Sequence, residues 1–352
     1  MHREDMRHEV MRPSASDTTA QASTPGSTAE GFDERDLWAA LGKAIQAPSI
    51  HNSQPWRWRL GSGAVNLYAD ATRRLPQTDP QGRDLVISCG AALHHLLVVL
   101  ADRGQGARVY RLPDCARPDH LATVVPAPTI DVDVDAALAT EIDRRHTDRH
   151  PFRSWPVPPE LTGQLAEIAD RQGVGLEIVT DPRARRRIFR AIETAARQQE
   201  SDPAYLAELA EWSDRPATAQ DGVPAQLAPP PGQVPGRMPM RAFPGMDSRG
   251  PASSEPESAA LLLITSSTDT PVQWLRVGEV TSAVLLTATR HGLAASPLTQ
   301  PLEIGDTRAF LRDRVVRTSA HPQMVLRIGW PHPDVTPRPA TRRRQLTEVV
   351  DR

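Results

Sequence analysis

The sequence predicts a mixed α+β fold, and three observations lead there. Apolar residues recur at three- and four-residue spacing in several long windows, which is the helical period. Short aliphatic runs bounded by glycine or proline lie between those windows, as strands do. The two patterns alternate along the chain instead of segregating. At 352 residues the chain has room for about two domains' worth of core. A formal net charge of −2 gives no global pull toward nucleic acid or an anionic membrane. Two cysteines, Cys89 and Cys115, exclude a disulfide-dense scaffold and match no zinc spacing. The longest apolar run, near Leu96 to Ala101, is far short of a membrane span, and the opening MHREDMRHEV lacks a signal-type apolar core. The cytoplasm is therefore the expected compartment.

Taken in order, residues 1–33 are rich in Ser, Thr, Ala, Glu and Arg, with Phe32 as the one aromatic, and are expected to form a disordered arm. Leu37, Leu41 and Ile45 mark a helix over 34–47. Arg57 to Leu60 and Val65 to Tyr68 read as a hairpin around Gly61-Ser62-Gly63. Ile87 to Asp102 is a strong helix stopped by Gly104. A helical stretch at Ala137 to Ile142, a helix over 160–172 and a strand at Leu176 to Val179 follow. Residues 183–211 are helical with a break at Asp202-Pro203, and Leu261 to Thr265 is a buried strand. A helix from Gly278 to Arg290 ends at Gly292, and Met324 to Ile328 is the last strand. Between 213 and 257 stand ten of the 34 prolines, which exclude helix and central strand. Trp212, Met238, Met240, Phe243 and Met246 lie in or beside that stretch, so it is expected to fold back over something as a lid.

One internal repeat is visible. Gly90 and Gly104 bracket one helix, Gly278 and Gly292 bracket another, and a basic residue stands in the last turn of each.

Four strings have the residue types for binding. Ala47 to Trp56 reads APSIHNSQPW: Pro48 ends a helix, Pro55 fixes a turn, and Ser49, Asn52 and Gln54 offer donors and acceptors suited to the edge of a heterocycle. The same residues also suit a cap-and-turn that satisfies local backbone. In the run Arg144 to Phe152, Arg145, Thr147 and Arg149 alternate, so an extended backbone puts two guanidinium forks and a hydroxyl on one side as a phosphate clamp; a solvated charge run is the other reading. Ala294 to Pro301 brackets a short loop whose Pro297, Leu298, Thr299 and Gln300 can turn backbone toward a ligand, or simply connect helix to strand. Arg342-Arg343-Arg344 is either a further set of phosphate ligands or a solvated tail. No P-loop, G-x-S-x-G or G-x-G-x-x-G occurs, and the adjacent His94 and His95 point to different helix faces, which argues against a shared metal.

With these strings in place, the chain resembles the FMN-dependent nitroreductase superfamily. APSIHNSQPW is similar to that family's S-x-x-N-x-Q-P-W loop, and RHTDRHPF to its R-x-S-x-R/K-x-F phosphate motif, with Thr147 where serine is commoner. The order is reversed, because ordinary members begin with the phosphate motif. In ordinary homodimers each FMN lies between two subunits, one giving the phosphate motif and the other the S-x-x-N loop. The resemblance therefore implies two degenerate copies fused into a pseudo-dimer within one monomeric chain, as in the single-chain Acg-type branch. Residues 34–135 would be the first half and 136–352 the second, with the lid inserted at about 213–257.

The resemblance implies FMN as cofactor. Arg145, Thr147 and Arg149 would hold its phosphate, and Pro48, Ser49, Asn52 and Gln54 would line the flavin. Residues 296–300 would approach flavin N5, and Arg342 or Arg344 would add phosphate contacts. No side chain is assigned as catalytic. The implied activity is ping-pong electron transfer from NAD(P)H to a nitro compound or quinone. The alternative is an FMN-sequestering protein whose lid excludes NAD(P)H. No metal, nucleic-acid or membrane partner is expected.

Overall fold

A computed structural model of the chain describes residues 31–61, 63–130, 133–225, 238–243, 258–332 and 341–351. The expected disordered arm lies outside the described residues except for 31–33, as do 226–237 and 244–257 of the Pro-rich segment.

Two antiparallel-based sheets flank a pair of long central helices. In the first part of the chain come α1 (Glu34–Ala44), β1 (Trp56–Gly61), β2 (Ala64–Ala69), α2 (Arg83–Asp102), β3 (Ala107–Arg111) and β4 (His120–Pro126). The second part holds α3 (Pro159–Arg171), β5 (Gly175–Ile178), α4 (Pro182–Glu200), α5 (Pro203–Glu211), β6 (Ala260–Ser266) and α6 (Pro271–Arg290). It continues with β7 (Ala294–Leu298), α7 (Gln300–Glu303), α8 (Gly305–Leu311), β8 (His321–Gly329), α9 (Leu346–Val349) and β9 (Val350–Asp351). The sheet orders are β3-β4-β2-β1-β9 and β5-β6-β8-β7. Strand β9 returns from the C-terminal end to pair in parallel with β1, Val350 opposite Trp58, so the first sheet is completed by the far end of the chain.

The glycine repeat has a physical basis. A Cβ on Gly90 would overlap the Leu275 carbonyl oxygen, and one on Gly278 would overlap that of Ile87. The two glycines let α2 and α6 cross backbone to backbone. Gly104 and Gly292 both hold left-handed φ, 69° and 75°, just beyond the same two helices, where glycine ends a helix without strain. Around this crossing α2 is almost wholly buried, which suits a 20-residue helix of that hydropathy. His94 Nδ1 lies 2.9 Å from Ser282 Oγ across it, and Arg111 reaches Glu279 with two hydrogen bonds of 2.8 and 2.6 Å.

Core residues follow strand periodicity. Leu262 and Ile264 of β6 pack with Val280 and Val284 of α6, while Leu261 and Leu263 pack with Ile188 and Ile192 of α4. Burial on both faces explains the unbroken apolar run in β6. Helix α4 buries Ile188, Ala191, Ile192, Ala195 and Gln199 on one stripe.

Several sequence expectations need correction. The central helices begin earlier than expected, at Arg83 and Pro271. Strands β3 and β4 were missing from the expected elements. Residues 294–298 form strand β7, paired antiparallel with β8, where a loop was expected. Pro297 fits because β7 is the last named strand of its sheet, so its missing N–H breaks no ladder on the outer side.

Candidate active site

The loop after α1 is a strained turn fixed by many partners. His51, Asn52 and Gln54 all have left-handed φ, 48°, 54° and 50°. For residues other than glycine each costs about 1–3 kcal/mol, and such strain persists only where the surroundings over-determine it. Ser49 Oγ accepts from the Gln54 N–H at 3.0 Å, and the Ile50 N–H donates to Ser88 Oγ of α2 at 3.1 Å. Asn52 Nδ2 donates to the Gly222 and Arg342 carbonyls at 3.2 and 3.3 Å. Gln54 Nε2 donates to the Gln220 carbonyl at 2.7 Å, and its Oε1 accepts from the Arg344 N–H at 2.8 Å. The loop therefore clamps residues 220–222 on one side and the C-terminal segment on the other.

These bonds alter the expected role of two residues. The Gln54 side chain is buried and spent on backbone, chiefly that of the distant Gln220 and Arg344, and Gln54 is absent from the cavity lining. Asn52 borders the cavity, but its amide nitrogen is committed; Oδ1 has no partner. Pro48 and Ser49 line the cavity as expected.

Opposite this loop runs the segment with the alternating arginines. Thr147 forms a parallel bridge to Ala295 of β7, and the Asp148 N–H donates to the Ala295 carbonyl at 2.9 Å. The chain is thus held extended along the outer edge of β7. Asp148 and His150 are buried and paired at 2.7 Å, and Arg327 Nη2 donates to both of their carbonyls, at 3.0 and 2.7 Å. Arg145, Thr147 and Arg149 border the cavity, and so do their neighbours Arg144, His146, Asp148 and His150, so the lining does not single out the alternate residues.

A further arginine, from the C-terminal run, joins them, and it is neither of the two expected. Arg343 lines the cavity beside Arg145. The Arg342 side chain is exposed and only its carbonyl is used; Arg344 lies 3.6 Å from Asp70 and donates to the Glu348 carbonyl, away from the cavity. Among the described residues no carboxylate pairs with Arg145 or Arg343, and the Nε atom of each is buried without a partner. Burial lowers the Arg145 guanidinium to about 10; burial, then repulsion from Arg145, lowers Arg343 to about 9. Arg343 donates from Nη1 to the Thr341 and Arg342 carbonyls at 2.8 and 3.2 Å and from Nη2 to those of Gln46 and Ala47, each at 3.2 Å, so its Nε is the donor left for an anion.

The cavity continues inward from this basic end. Pro48, Ser49, His51, Thr147, Arg149 and Val223 are shared between the basic and the inner lobes. The inner lobe holds about 120 Å³ and the basic lobe about 950 Å³, so the basic lobe supplies the volume of about 300–1,000 Å³ usual for small-molecule sites. Pro297, Leu298, Thr299 and Gln300 border it as expected. Thr299 Oγ1 donates to Glu303 at 2.6 Å and Gln300 Nε2 to Gln199 at 2.9 Å, so their side chains point into local partners.

Residues 238–243 close the other side. Met238 packs into the core under α4, Arg241 is buried on Glu303 and Tyr205, and Phe243 lies edge-on to His51 with centroids 6.0 Å apart. The Arg149 guanidinium lies 5.3 Å from the Phe243 ring centroid. Burial, then Arg241 and Arg149, push the His51 imidazolium well below its ordinary range, so His51 is neutral. Sequence reading missed His51 and Arg343, although both stand inside strings it singled out. Asp84 and Thr281, polar residues inside largely apolar helices, also line the inner lobe. Among the described residues no His, Cys, Asp and Glu cluster could hold a metal.

No family model matches the chain. It is 41% identical over 322 residues to "Putative NAD(P)H nitroreductase Rv3131" of Mycobacterium tuberculosis, covering 91% of this chain and 92% of that protein. The "Uncharacterized protein Rv3127" of the same organism is 35% identical, covering 87% and 90%. The "Putative NAD(P)H nitroreductase acg", also from M. tuberculosis, is 33% identical, covering 88% and 94%. Among solved structures, the FMN-dependent nitroreductase NfnB from Mycobacterium smegmatis in complex with NADPH aligns at a TM-score of 0.36 and 16% identity, over 60% of this chain and 96% of that one.

Proposed function

The chain belongs to the FMN-dependent nitroreductase superfamily, in the branch of its Acg-type relatives, and on that premise we propose that it is an FMN-binding, NAD(P)H-dependent oxidoreductase. The observation that carries this reading is the basic end of the cavity. Arg145 and Arg343 each keep a buried, unpartnered Nε, with Thr147 on the wall between Arg145 and Arg149. That donor set fits a phosphate monoester dianion, and the roomy basic lobe can take a planar ring system whose edge enters the inner lobe. In this reading Arg145, Arg343 and Thr147 hold the phosphate, while Arg149 and the Pro48–Ser49 turn border the passage inward. Leu298, Thr299 and Gln300 bring backbone toward the ring.

When bound, FMN would supply two-electron chemistry in ping-pong fashion, accepting from NAD(P)H and passing to a nitro compound or quinone. The protein's part is to position and exclude. Neutral His51 adds no charge beside the ring, and Phe243 and Arg241 keep water from that side. We read the Pro-rich segment as the lid, and the two sheets with their crossed helices as two degenerate copies fused into one monomeric chain. The first sheet's dependence on β9 supports that reading, because the first half is finished by a strand of the second.

The anchoring of Arg241 on Glu303 and Tyr205 favours a second reading, an FMN-sequestering protein whose lid stays shut against NAD(P)H. One experiment separates these. The purified protein is loaded with FMN, and its visible spectrum is recorded anaerobically before and after NADPH. Rapid bleaching supports the oxidoreductase. A spectrum that NADPH leaves unchanged and dithionite bleaches supports sequestration. Failure to retain any flavin rejects both.

A further inference from the structure

We propose that Asp84, Thr281 and Ser296 form a hydrogen-bonding wall that reads the polar C=O/N–H edge of the bound ring system where that edge enters the inner lobe. This rests on the FMN reading above and assigns the ring contacts within it.

The three residues come from three elements, α2, α6 and β7, and all line the inner lobe. Each is nearly inaccessible to solvent, with exposures of 2%, 3% and 1%. Thr281 Oγ1 and Ser296 Oγ have no hydrogen-bond partner, and neither has Asp84 Oδ2. Asp84 Oδ1 lies 2.8 Å from Arg83 Nη2, near enough for charge attraction but outside hydrogen-bonding geometry. Nearly all buried polar side chains in folded proteins are hydrogen-bonded, because an unmade bond costs about 1–3 kcal/mol. Three unmet groups from separate elements on one cavity wall point to a ligand that meets them.

The neighbouring residues sharpen this. Ser88 also lines the lobe but is satisfied, donating to the Asp84 carbonyl at 2.6 Å and accepting from Ile50. Asn52 and Gln54, the residues that sequence reading assigned to a heterocycle edge, have committed their amide nitrogens to backbone. The wall supplies what they do not. A carboxyl accepts an N–H, and two hydroxyls donate to carbonyl oxygens. The matching ligand edge carries an N–H flanked by carbonyls, which is the ureide-type edge of a flavin's pyrimidine ring. A purely apolar ligand would leave all three unmet.

The test uses the ligand as well as the protein. Binding of FMN and of N3-methyl-FMN to the full-length chain is titrated by flavin fluorescence, with Thr281→Val/Ser296→Ala and Asp84→Asn alongside. The expected result is that N3-methylation weakens binding to the unaltered protein at least tenfold. The penalty should shrink in Asp84→Asn, and the double variant should bind FMN more weakly while retaining its far-UV spectrum. Equal affinity for FMN and N3-methyl-FMN overturns the wall, even if Asp84→Asn fails to fold, because that comparison needs no variant. Binding of neither flavin removes the FMN reading and the wall together, an outcome distinct from equal binding of both.

Discussion

Arg343 shows how one side chain's surroundings decide its role among three identical neighbours. Arg342 is exposed and Arg344 is turned toward Asp70, whereas Arg343 is half-buried near Arg145, with backbone carbonyls on its Nη atoms and no partner on its Nε. Arg343→Ala is therefore expected to weaken FMN binding by about tenfold to a hundredfold, the loss of one charge-assisted bond at about 1.5–3 kcal/mol. Arg342→Ala should leave affinity within a factor of about two, since only its carbonyl is used. Isothermal titration with FMN measures both, and equal losses would sink the assignment. Asp84 gives a second residue-scale prediction. Burial raises its carboxyl to about 7; Arg83 and Arg308 pull it down, and Asp79 and Glu303 push it up. In the unfolded chain it ionises near about 3.9. Between those values the folded chain holds the extra proton, so this residue's contribution to stability is greatest at low pH and is lost as pH rises toward 7. At about 1.4 kcal/mol per pKa unit the window is worth a few kcal/mol. Urea midpoints of Asp84→Asn should lack that downward slope between pH 4.5 and about 7.5; parallel slopes for both proteins would contradict it.

At the scale of elements, the crossing of α2 and α6 inverts an ordinary rule. Replacing a mid-helix glycine by alanine usually gains about 0.5–1 kcal/mol. A Cβ on Gly90 would overlap the backbone of α6, so Gly90→Ala is expected to cost about 1–3 kcal/mol by forcing two packed helices apart. Gly163 in α3 has no atom within 4 Å of a Cβ, so Gly163→Ala should show the usual gain. Urea denaturation of the two variants tests the contrast, and a gain at both positions would reject the backbone contact. The same crossing shows what sequence can reveal. Glycine spacing, helical stripes and the long apolar run of β6 were readable because each is a local pattern. Strand β7 was not, since Ala-Ala-Ser-Pro-Leu has little strand character and depends on β8 for its pairing. The two-residue β9 exists only through its pairing with β1, which no local pattern encodes. Which of three consecutive arginines faces the cavity depends on where the chain enters from the far side, and that too is a tertiary fact.

For the whole molecule, the arrangement sets the number of cofactors per chain. A homodimer built from two like subunits repeats every site, so two cofactors follow from symmetry. Here the APSIHNSQPW string and the RHTDRHPF string each occur once, and the structure brings them to opposite walls of one cavity. Arg343 reaches that cavity because the C-terminal segment crosses to the first half, where β9 completes the sheet. A second cofactor position related by the crossing of α2 and α6 would lack both strings. The chain should therefore bind one FMN and do so as a monomer of 38.6 kDa. Sedimentation equilibrium followed by the flavin-to-protein absorbance ratio measures both quantities on one sample. Two flavins per chain, or flavin bound only by a dimer, would mean that the fused-copy reading is wrong. Removing residues 341–352 gives the complementary case. That deletion takes away β9, Arg343 and the partners that Arg342 and Arg344 offer to Asn52 and Gln54. The edge of β1 is left unpaired and the strained loop at 51–54 is left under-determined. FMN binding should then be lost beyond what Arg343→Ala alone removes, because the deletion takes away an arginine and also the support that holds the opposite wall. A deletion that binds FMN as well as Arg343→Ala does would show that the C-terminal segment contributes its arginine and nothing more.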